Sequence, residues 1–286
     1  MAALGSMVQD GTLRLKSGPH GEHARRDSET LLLHVLGKRR AWLLAHLDYD
    51  LPNDQASRFM QLIERRYRGE PIQYITGEQE FYGLPFRVTP DVLIPRPETE
   101  HLVGKVIGLL PLFRKPRIVD VGTGSGAIAI VLAHEWPDVV VTATDVSPSA
   151  LDLARRNAER IGLADRVRFI QGDLLVPVEG ERFDIVVSNP PYVSTADRNS
   201  LSVEVREHEP ALALFAGNDG IEVYRRLIPA AFDVLEAGGF LALEIGYGQS
   251  AAVADLMADA GFTHIEFVPD LRGIARVACG QRTCSL

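Results

Sequence analysis

Arg117-Ile118-Val119-Asp120-Val121-Gly122-Thr123-Gly124-Ser125-Gly126-Ala127 is the stretch that decides the fold of this chain. The mostly apolar residues 117–121 predict a buried strand, and the apolar run that follows predicts a helix over about 126–135. The alternate glycines between them let the backbone turn tightly and approach a ligand closely. The free N–H groups at the start of the helix favour a nucleotide-like ligand. No Gly-Lys-Ser/Thr follows, so the loop is not a P-loop.

The glycine loop is compatible with two cofactor types. Gly122, Gly124 and Ala127 satisfy the dinucleotide pattern G-x-G-x-x-A, but a loop of this kind serves S-adenosylmethionine equally well. The loop alone therefore leaves the cofactor open. Its candidate cofactor-binding residues are Gly122, Thr123, Gly124, Ser125 and Gly126.

Strands and helices alternate after Pro116, which predicts a doubly wound, mostly parallel sheet of seven strands. The predicted strands are 117–121, 139–144, 167–172, 183–188, 239–245, 264–269 and 274–280. The predicted helices are about 126–135, 148–161, 220–236 and 249–260. The link Asp270–Gly273 is too short for a crossover helix, so the last two strands should be antiparallel.

Acidic residues end two neighbouring strands. Asp145, 23 residues after the first loop glycine, can accept both ribose hydroxyls, with Val146 beside it. Its alternative role is to cap the following helix, which Ser147 already does. Asp173 can accept the exocyclic adenine amine, with Leu174 covering the ring, or can be an exposed strand-end residue. An acid after each strand favours S-adenosylmethionine over NAD.

Asn189-Pro190-Pro191-Tyr192, hereafter the acceptor tetrapeptide, directly follows strand 183–188. It places a side-chain amide, two fixed φ angles and an aromatic face at the end of a buried strand, where open α/β sheets bind ligands. It can be a plain turn, but beside the glycine loop it predicts a pocket for a planar amide or amine nitrogen. Asn189, Pro190 and Tyr192 are the candidate catalytic residues, Asn189 also faces the cofactor, and Pro191 completes the substrate contact.

The amino-terminal part predicts helices. Apolar residues recur at helical spacing between Ser28 and Arg68, which indicates a helical bundle over residues 1–78. Such a bundle can dock a partner or merely stabilise the fold, and the pattern does not decide between them. Residues 79–100 predict a β-hairpin around Gly83 and a stiff proline-rich strip, leaving 101–286 as the catalytic domain.

The proline-rich strip has two interpretations. It can be a plain connector, or it can hold Arg96 and Glu98 rigidly at the rim of a cleft. On the second interpretation Arg96, Glu98 and the hairpin residue Phe81 are candidate substrate-binding residues.

Composition limits the function classes. The 286 residues are 46% hydrophobic and 24% charged, as in a globular protein. Residues 1–87 carry 12 Lys/Arg and 11 Asp/Glu, whereas residues 88–286 carry 18 and 27, so the larger part is acidic and is a poor binder of duplex nucleic acid.

With no apolar span and no signal segment, we expect a cytoplasmic protein that does not contact membranes. The cysteines, Cys279 and Cys284, lack a second ligand pair for zinc, so we expect ordinary thiols and no metal.

Motifs over roughly residues 28–280 resemble those of the HemK-type protein-(glutamine-N5) methyltransferases. The acceptor tetrapeptide alone is shared with adenine-amine methyltransferases, but its combination with the other strings is specific. The matching strings are Gly69-Glu70-Pro71-Ile72-Gln73-Tyr74-Ile75-Thr76-Gly77, Phe81-Tyr82-Gly83-Leu84, Leu93-Ile94-Pro95-Arg96-Pro97-Glu98-Thr99-Glu100, the glycine loop, the acceptor tetrapeptide and Arg206-Glu207-His208-Glu209-Pro210-Ala211-Leu212.

The resemblance implies a class I S-adenosylmethionine-dependent methyltransferase: a Rossmann-like seven-stranded sheet with its last pair antiparallel, a small helical bundle and a hairpin linker. It implies methylation of the glutamine in the Gly-Gly-Gln motif of class I peptide chain release factors, which the helical domain helps to hold. No stable nucleic-acid complex is expected, and nothing requires more than a monomer. Many relatives have an aromatic residue where Leu174 stands, and the first dozen or so residues match nothing and are candidates for disorder.

Two other functions remain open at this point. A nucleic-acid amine methyltransferase would explain the acceptor tetrapeptide, although the acidic domain opposes it. A dinucleotide-dependent oxidoreductase or a non-catalytic nucleotide-binding module would explain the glycine loop, but would leave the tetrapeptide as a structural turn.

Overall fold

The computed structural model describes residues 2–283. The α-helices of these residues are α1 (Leu4–Lys16), α2 (Ala24–Leu36), α3 (Arg40–Ala45), α4 (Asn53–Tyr67), α5 (Ile72–Thr76), α6 (Thr99–Leu109), α7 (Ala127–Glu135), α8 (Pro148–Ile161), α9 (Val203–His208), α10 (Ala211–Leu214), α11 (Glu222–Val234) and α12 (Ser250–Asp259). The strands are β1 (Ala2–Ala3), β2 (Asp50–Leu51), β3 (Glu78–Phe81), β4 (Leu84–Arg87), β5 (Arg117–Val121), β6 (Val140–Asp145), β7 (Val167–Gln171), β8 (Phe183–Ser188), β9 (Leu235–Glu244), β10 (Phe262–Pro269) and β11 (Ala275–Arg282).

The chain divides into two compact units. Unit 1 consists of residues 1–78 together with 201–208, and unit 2 consists of residues 79–200 and 209–286. Residues 201–208 fell within the predicted catalytic domain, 101–286, because nothing in the sequence of this segment indicates where it packs. The short helix α9 therefore belongs by packing to the helical unit.

Unit 1 is built around one apolar cluster from α1, α2 and α4. Its fully buried members include Leu31, Phe59 and Ile63, which the helical spacing had marked. The helix α1 is a correction, because the first dozen or so residues were candidates for disorder. Leu4, Met7 and Leu15 of this helix are buried in the same cluster.

A buried ion-pair network fastens α9 within unit 1. Arg66 of α4 is only 4% exposed. Its Nε donates to Asp27 Oδ2 at 2.7 Å, and its Nη1 donates both to the Glu70 carbonyl oxygen at 3.0 Å and to Glu204 of α9. One guanidinium therefore neutralises carboxylates from two helices, as its planar fork of five donors allows.

Unit 2 contains the predicted seven-stranded sheet, with the order β10-β11-β9-β8-β5-β6-β7. The strands β9, β8, β5, β6 and β7 are parallel to one another. Strand β11 is antiparallel to both β10 and β9, which confirms the prediction for the last pair. The separate two-stranded sheet β3-β4 is the predicted hairpin.

Two apolar clusters cover the faces of the large sheet. Ile118 and Val119 are neighbours on β5 but belong to different clusters, because successive strand side chains point to opposite faces. One cluster includes α6, α7 and α8, and the other includes α11 and α12. Parallel strands buried on both faces leave their carboxyl ends free to form a site.

The start of β9 differs from the prediction. The predicted helix 220–236 ends at Val234, and β9 begins at Leu235 rather than at residue 239. Leu235 already pairs with Phe183, and the register shifts before Phe240 pairs with Ile185. Gly238, with φ +88°, accommodates the irregular stretch that had been taken for a helix end.

Two further expectations concern cysteines and membranes. Cys279 is buried in the sheet, and burial raises the pKa of its thiol to about 12, whereas Cys284 lies outside the described residues. Within residues 2–283 there is no helix with both the length and the apolar character needed to cross a bilayer.

Candidate active site

A cavity of about 450 Å³ lies in unit 2, beyond the carboxyl ends of β5, β6, β7 and β8. This volume is within the range of small-molecule sites, roughly 300–1,000 Å³. The residues that line it include the whole glycine loop except Gly126, both predicted acids, and half of the acceptor tetrapeptide. They are Pro90, Asp91, Val92, Leu93, Pro95, Thr99, Gly122, Thr123, Gly124, Ser125, Ala127, Ile128, Asp145, Val146, Ser147, Ser149, Ala150, Gly172, Asp173, Leu174, Asn189, Pro191, Pro210, Leu212, Ala213, Phe215, Val223 and Arg226.

The glycine loop keeps space free for a ligand. Gly122 and Gly124 have φ of +71° and +56°, and a Cβ added to either would meet no other heavy atom within 4 Å. Both glycines line the cavity, so a side chain there would project into open space beside the backbone N–H groups. At Gly126, by contrast, a Cβ would approach Ala154 Cα to 3.3 Å, so this glycine is needed for packing of the loop on α8. The loop therefore fits a ligand that contacts the backbone directly.

Asp145, at the end of β6, is held by backbone donors. Its Oδ2 accepts from Gly124 N at 2.8 Å and its Oδ1 accepts from Ser147 N at 2.9 Å. A carboxylate has about four acceptor sites, so each oxygen can still accept a ligand hydroxyl. Burial raises the pKa of Asp145, and these N–H bonds oppose that rise. The cap of α8 is Ser147, whose Oγ accepts from Ala150 N at 3.2 Å, and not Asp145.

Asp173 and Leu174 follow β7 at the edge of the cavity. Asp173 forms an ion pair with Arg226 of α11, and the two side chains are 51% and 55% exposed. Leu174 has a φ of +49°, a strained value for a residue with a Cβ. Its carbonyl oxygen accepts from Thr144 Oγ1 at 2.9 Å, which holds the strained turn in place. The pairing of Asp173 with Arg226 could not be read from their separation of 53 residues.

The acceptor tetrapeptide is fastened to the neighbouring loops. Asn189 and Pro191 line the cavity, whereas Pro190 is buried and Tyr192 is half-buried. The Tyr192 carbonyl oxygen accepts from Gln249 Nε2 at 2.9 Å. The next residue, Val193, exchanges backbone hydrogen bonds with 214–216, with distances of 2.8 and 2.9 Å. These contacts give the cavity wall a fixed conformation.

A buried hydrogen-bond network lies behind Asn189. Its Nδ2 donates to Thr99 Oγ1 at 3.1 Å, and Thr99 Oγ1 donates to Glu244 Oε2 at 2.6 Å. Tyr192 Oη donates to the other oxygen, Glu244 Oε1, at 3.2 Å. Burial raises the pKa of Glu244 to about 7, and it raises the pKa of Tyr192 further above its ordinary value. Asn189 and Tyr192 are thus joined through Thr99 and Glu244.

Three residues predicted to contact substrate are not on the cavity wall. Phe81 is 1% exposed and packs against Phe86, with ring centroids 6.1 Å apart, because the hairpin turns its aromatic side chain into the core. Arg96 forms an ion pair with the buried Glu209 and lies outside the lining. Glu98 is half-buried at the start of α6 and also lies outside it. The cavity is lined instead by other residues of the segment that follows the hairpin, namely Pro90, Asp91, Val92, Leu93, Pro95 and Thr99.

Several site residues were missed because no local pattern marks them. Asp120 is fully buried with Oδ2 accepting from Thr123 Oγ1 at 2.6 Å, and burial raises its pKa to about 7. Asn157 donates to the carbonyl oxygens of Ser125 at 2.8 Å and Arg87 at 3.0 Å, which connects the glycine loop to β4. Asp120 lies inside the decisive stretch itself, and a charged residue in an apolar strand is the signal that could have marked it.

The seven-stranded sheet with its antiparallel last pair is the class I methyltransferase fold. The catalytic domain of hMettl16, solved in complex with the MAT2A 3'UTR hairpin 6, superposes with a TM-score of 0.58 at 18% identity and covers 82% of this chain and 84% of that one. At this identity the likeness shows the fold alone. Two family models also match, the PrmC N-terminal domain over residues 6–77 and the methyltransferase small domain over residues 106–207. The first match begins inside α1, in the segment that had been a candidate for disorder.

Closer relatives give the family. The release factor glutamine methyltransferase of Moorella thermoacetica is 47% identical over 98% of this chain and 97% of its own length. That of Koribacter versatilis is 45% identical over 91% of this chain and 92% of its own length. The chain belongs to the release factor glutamine methyltransferase family and is a methyltransferase.

Proposed function

We propose that this enzyme transfers a methyl group from S-adenosylmethionine to the side-chain nitrogen, N5, of the glutamine in the Gly-Gly-Gln motif of class I peptide chain release factors, and so modulates translation termination. The observation that carries the proposal is Asn189 on the wall of a cavity that also contains the glycine loop and Asp145. Family membership supports the protein substrate, since the curated relatives are named for it.

The lining residues fit S-adenosylmethionine. Asp145 would accept the ribose hydroxyls, and residues 122–125 would contact the ligand through the backbone. Val146 and Leu174 pack against the adenine, and Asp173 accepts its exocyclic amine in place of one contact to Arg226. When bound, S-adenosylmethionine supplies an electrophilic methyl group.

The acceptor tetrapeptide orients the nucleophile. A carboxamide nitrogen is a poor nucleophile because its lone pair is delocalised into the carbonyl group. Asn189 Oδ1 and the Pro190 carbonyl oxygen each accept one N–H of the substrate amide, while Tyr192 and the proline rings pack on its plane. Positioning of this kind can lower a barrier by roughly 7–11 kcal/mol. No general base is needed if the proton leaves after transfer.

The helical unit supplies the protein-docking function in this proposal. A release factor presents a folded surface as well as the glutamine, and unit 1 is the part of the chain that does not line the cavity. We propose that residues 1–78 and α9 contact the factor, and that the enzyme acts as a cytoplasmic monomer that forms no stable complex with nucleic acid.

The test uses methyl-labelled S-adenosylmethionine and three acceptors: a class I release factor, the same factor with the motif glutamine changed to alanine, and total RNA. We expect label on the first alone. Equal label on the alanine version would disprove the site of modification. Label on RNA with none on the factor would replace the proposal by a nucleic-acid amine methyltransferase.

A further inference from the structure

The network behind Asn189 has a direction, and this direction decides which amide atom of Asn189 faces the cavity. We infer that Thr99 and Glu244 are positioning residues, which engage the Asn189 nitrogen and so leave its oxygen for the substrate. The inference rests on the proposed function, since an acceptor oxygen is useful only for an N–H-bearing substrate. Neither residue was marked by the sequence motifs as a functional residue.

The direction follows from counting protons. An ionised carboxylate only accepts, so Glu244 takes the single hydroxyl proton of Thr99 at 2.6 Å. Thr99 Oγ1 can then act toward Asn189 only as an acceptor, and it must be met by the amide nitrogen, at 3.1 Å. Asn189 Oδ1 is thereby left for the cavity. Asn189 and Glu244 do not contact each other directly, because the Thr99 hydroxyl group lies between them, accepting from Asn189 and donating to Glu244.

Burial makes this selection energetically significant. Thr99 and Glu244 are 4% and 2% exposed, so bulk water compensates poorly for a lost partner. If Asn189 turned over, its oxygen would face Thr99 Oγ1, whose proton is committed to Glu244, and its nitrogen would face the substrate amide. Leaving a buried polar atom unpaired is unfavourable. The inverted amide would also present donors where the substrate presents donors.

Protonation of Glu244 would reverse the donor and acceptor roles in the hydrogen bonds that join Glu244, Thr99 and Asn189. A protonated Glu244 could donate to Thr99, which could then donate to Asn189 Oδ1 and favour the inverted amide. Burial raises the pKa of Glu244 to about 7, with Glu98, directly before α6, also raising it, whereas Thr99, Tyr192 and Arg276 of β11 lower it. Tyr224 of α11 donates to the Glu244 backbone oxygen at 2.8 Å and not to the carboxylate. The ionised, acceptor-only form predominates above that pKa, and the correct orientation of Asn189 is lost as the pH falls through it.

The first test separates the hydroxyl group from side-chain size. In single-turnover reactions at saturating cofactor and acceptor, Thr99→Val should lower the rate of methyl transfer roughly 10- to 100-fold, while Thr99→Ser, which keeps the hydroxyl group, should stay within about threefold of wild type. Thr142→Val is the matched control, since Thr142 is a buried threonine of β6 outside the network, and its rate should be normal. Equal rates for Thr99→Val and Thr99→Ser would overturn the inference.

The second test uses the pH profile, which a merely structural role would not change. The wild-type rate at saturating substrates should decline below about pH 7, and Glu244→Gln should give a lower rate that no longer declines between about pH 8.5 and about pH 6. Retention of the decline in Glu244→Gln would overturn the inference. A wild-type enzyme that labels no release factor contradicts the proposed function instead, and the same variants are then compared on whichever acceptor it does label.

Discussion

Each unit of this protein buries a polar network, but the two networks treat their carboxylates differently. In unit 1, Asp27 and Glu204 share the guanidinium of Arg66. In unit 2, the hydrogen bonds to the Glu244 carboxylate come from the hydroxyl groups of Thr99 and Tyr192. The first two carboxylates share a fixed cation, whereas the Glu244 carboxylate has only hydroxyl donors, and burial raises its pKa to about 7.

The difference corresponds to the two tasks. A network in which a guanidinium compensates the carboxylates suits the fastening of α9 within the helical unit. A network that ends on hydroxyl groups can transmit the protonation state of one carboxylate to the amide of Asn189. Buried ion pairs are also costly to break from one side, because the remaining charge has no solvent. Stability should therefore depend mainly on the first network, and turnover on the second.

The largest expected effect is on the stability of unit 1. Arg66→Met should lower the free energy of unfolding by about 3–5 kcal/mol, because the buried Asp27 would lose its shortest ion pair and Glu204 would lose its link to α4. Arg65→Met is the control, since Arg65 is 45% exposed in its pair with Glu70, and its loss should cost about 0–1 kcal/mol.

The readout for that prediction can be confined to unit 1. The chain has two tryptophans, Trp42 in unit 1 and Trp136 in unit 2. In a Trp136→Phe background, urea unfolding followed by tryptophan fluorescence reports the surroundings of Trp42 alone. The same midpoint for the two arginine variants would mean that the Arg66 network does not stabilise the helical unit.

The next effect is on cofactor affinity. Asp145→Ala should raise the Kd for S-adenosylmethionine roughly 10- to 100-fold, because both hydroxyl acceptors and the anchors of Gly124 and Ser147 are lost together. Calorimetry measures it. Asp152→Ala removes an exposed carboxylate of α8 and should leave the Kd unchanged. An unchanged Kd for Asp145→Ala would mean that Asp145 only holds the glycine loop in place and does not bind the cofactor.

The smallest effect is expected at the exposed ion pair beside the cavity. Asp173→Asn should weaken cofactor binding by about 3- to 10-fold if Asp173 accepts the adenine amine, whereas Arg226→Gln should change it by less than about threefold, since exposed pairs contribute little. A larger loss in Arg226→Gln than in Asp173→Asn would make Arg226, and not Asp173, the adenine contact.

Local patterns predicted the framework of unit 2 well. The glycine loop, the strands that end within two residues of Asp145 and Asp173, and the antiparallel last pair follow from apolar periodicity and from a link too short for a helix. The first helix was missed because its buried face includes Gly11, a poor helix former. A Cβ at Gly11 would lie 2.5 Å from Ser28 Oγ and 2.8 Å from Phe59 Cζ, so this glycine serves a close helix contact that only the folded structure reveals.

The site could be predicted only in part for the same reason. The acceptor tetrapeptide and the glycine loop are contiguous motifs, so the sequence displays them. The Thr99 contacts, in contrast, join residues 145 and 90 positions apart, and no periodicity encodes them. Phe81 was placed near substrate because it stands in a family motif, but a core aromatic and a binding aromatic look alike in a sequence.

The most direct test of the central claim is single-turnover methyl transfer to a release factor by Asn189→Ala at saturating S-adenosylmethionine, with cofactor affinity measured in parallel. Since Asn189 Oδ1 orients the substrate amide, the rate should fall at least about 100-fold while the Kd for the cofactor changes little. A rate close to that of wild type would contradict the account, because the amide of the substrate would then be oriented by something other than Asn189.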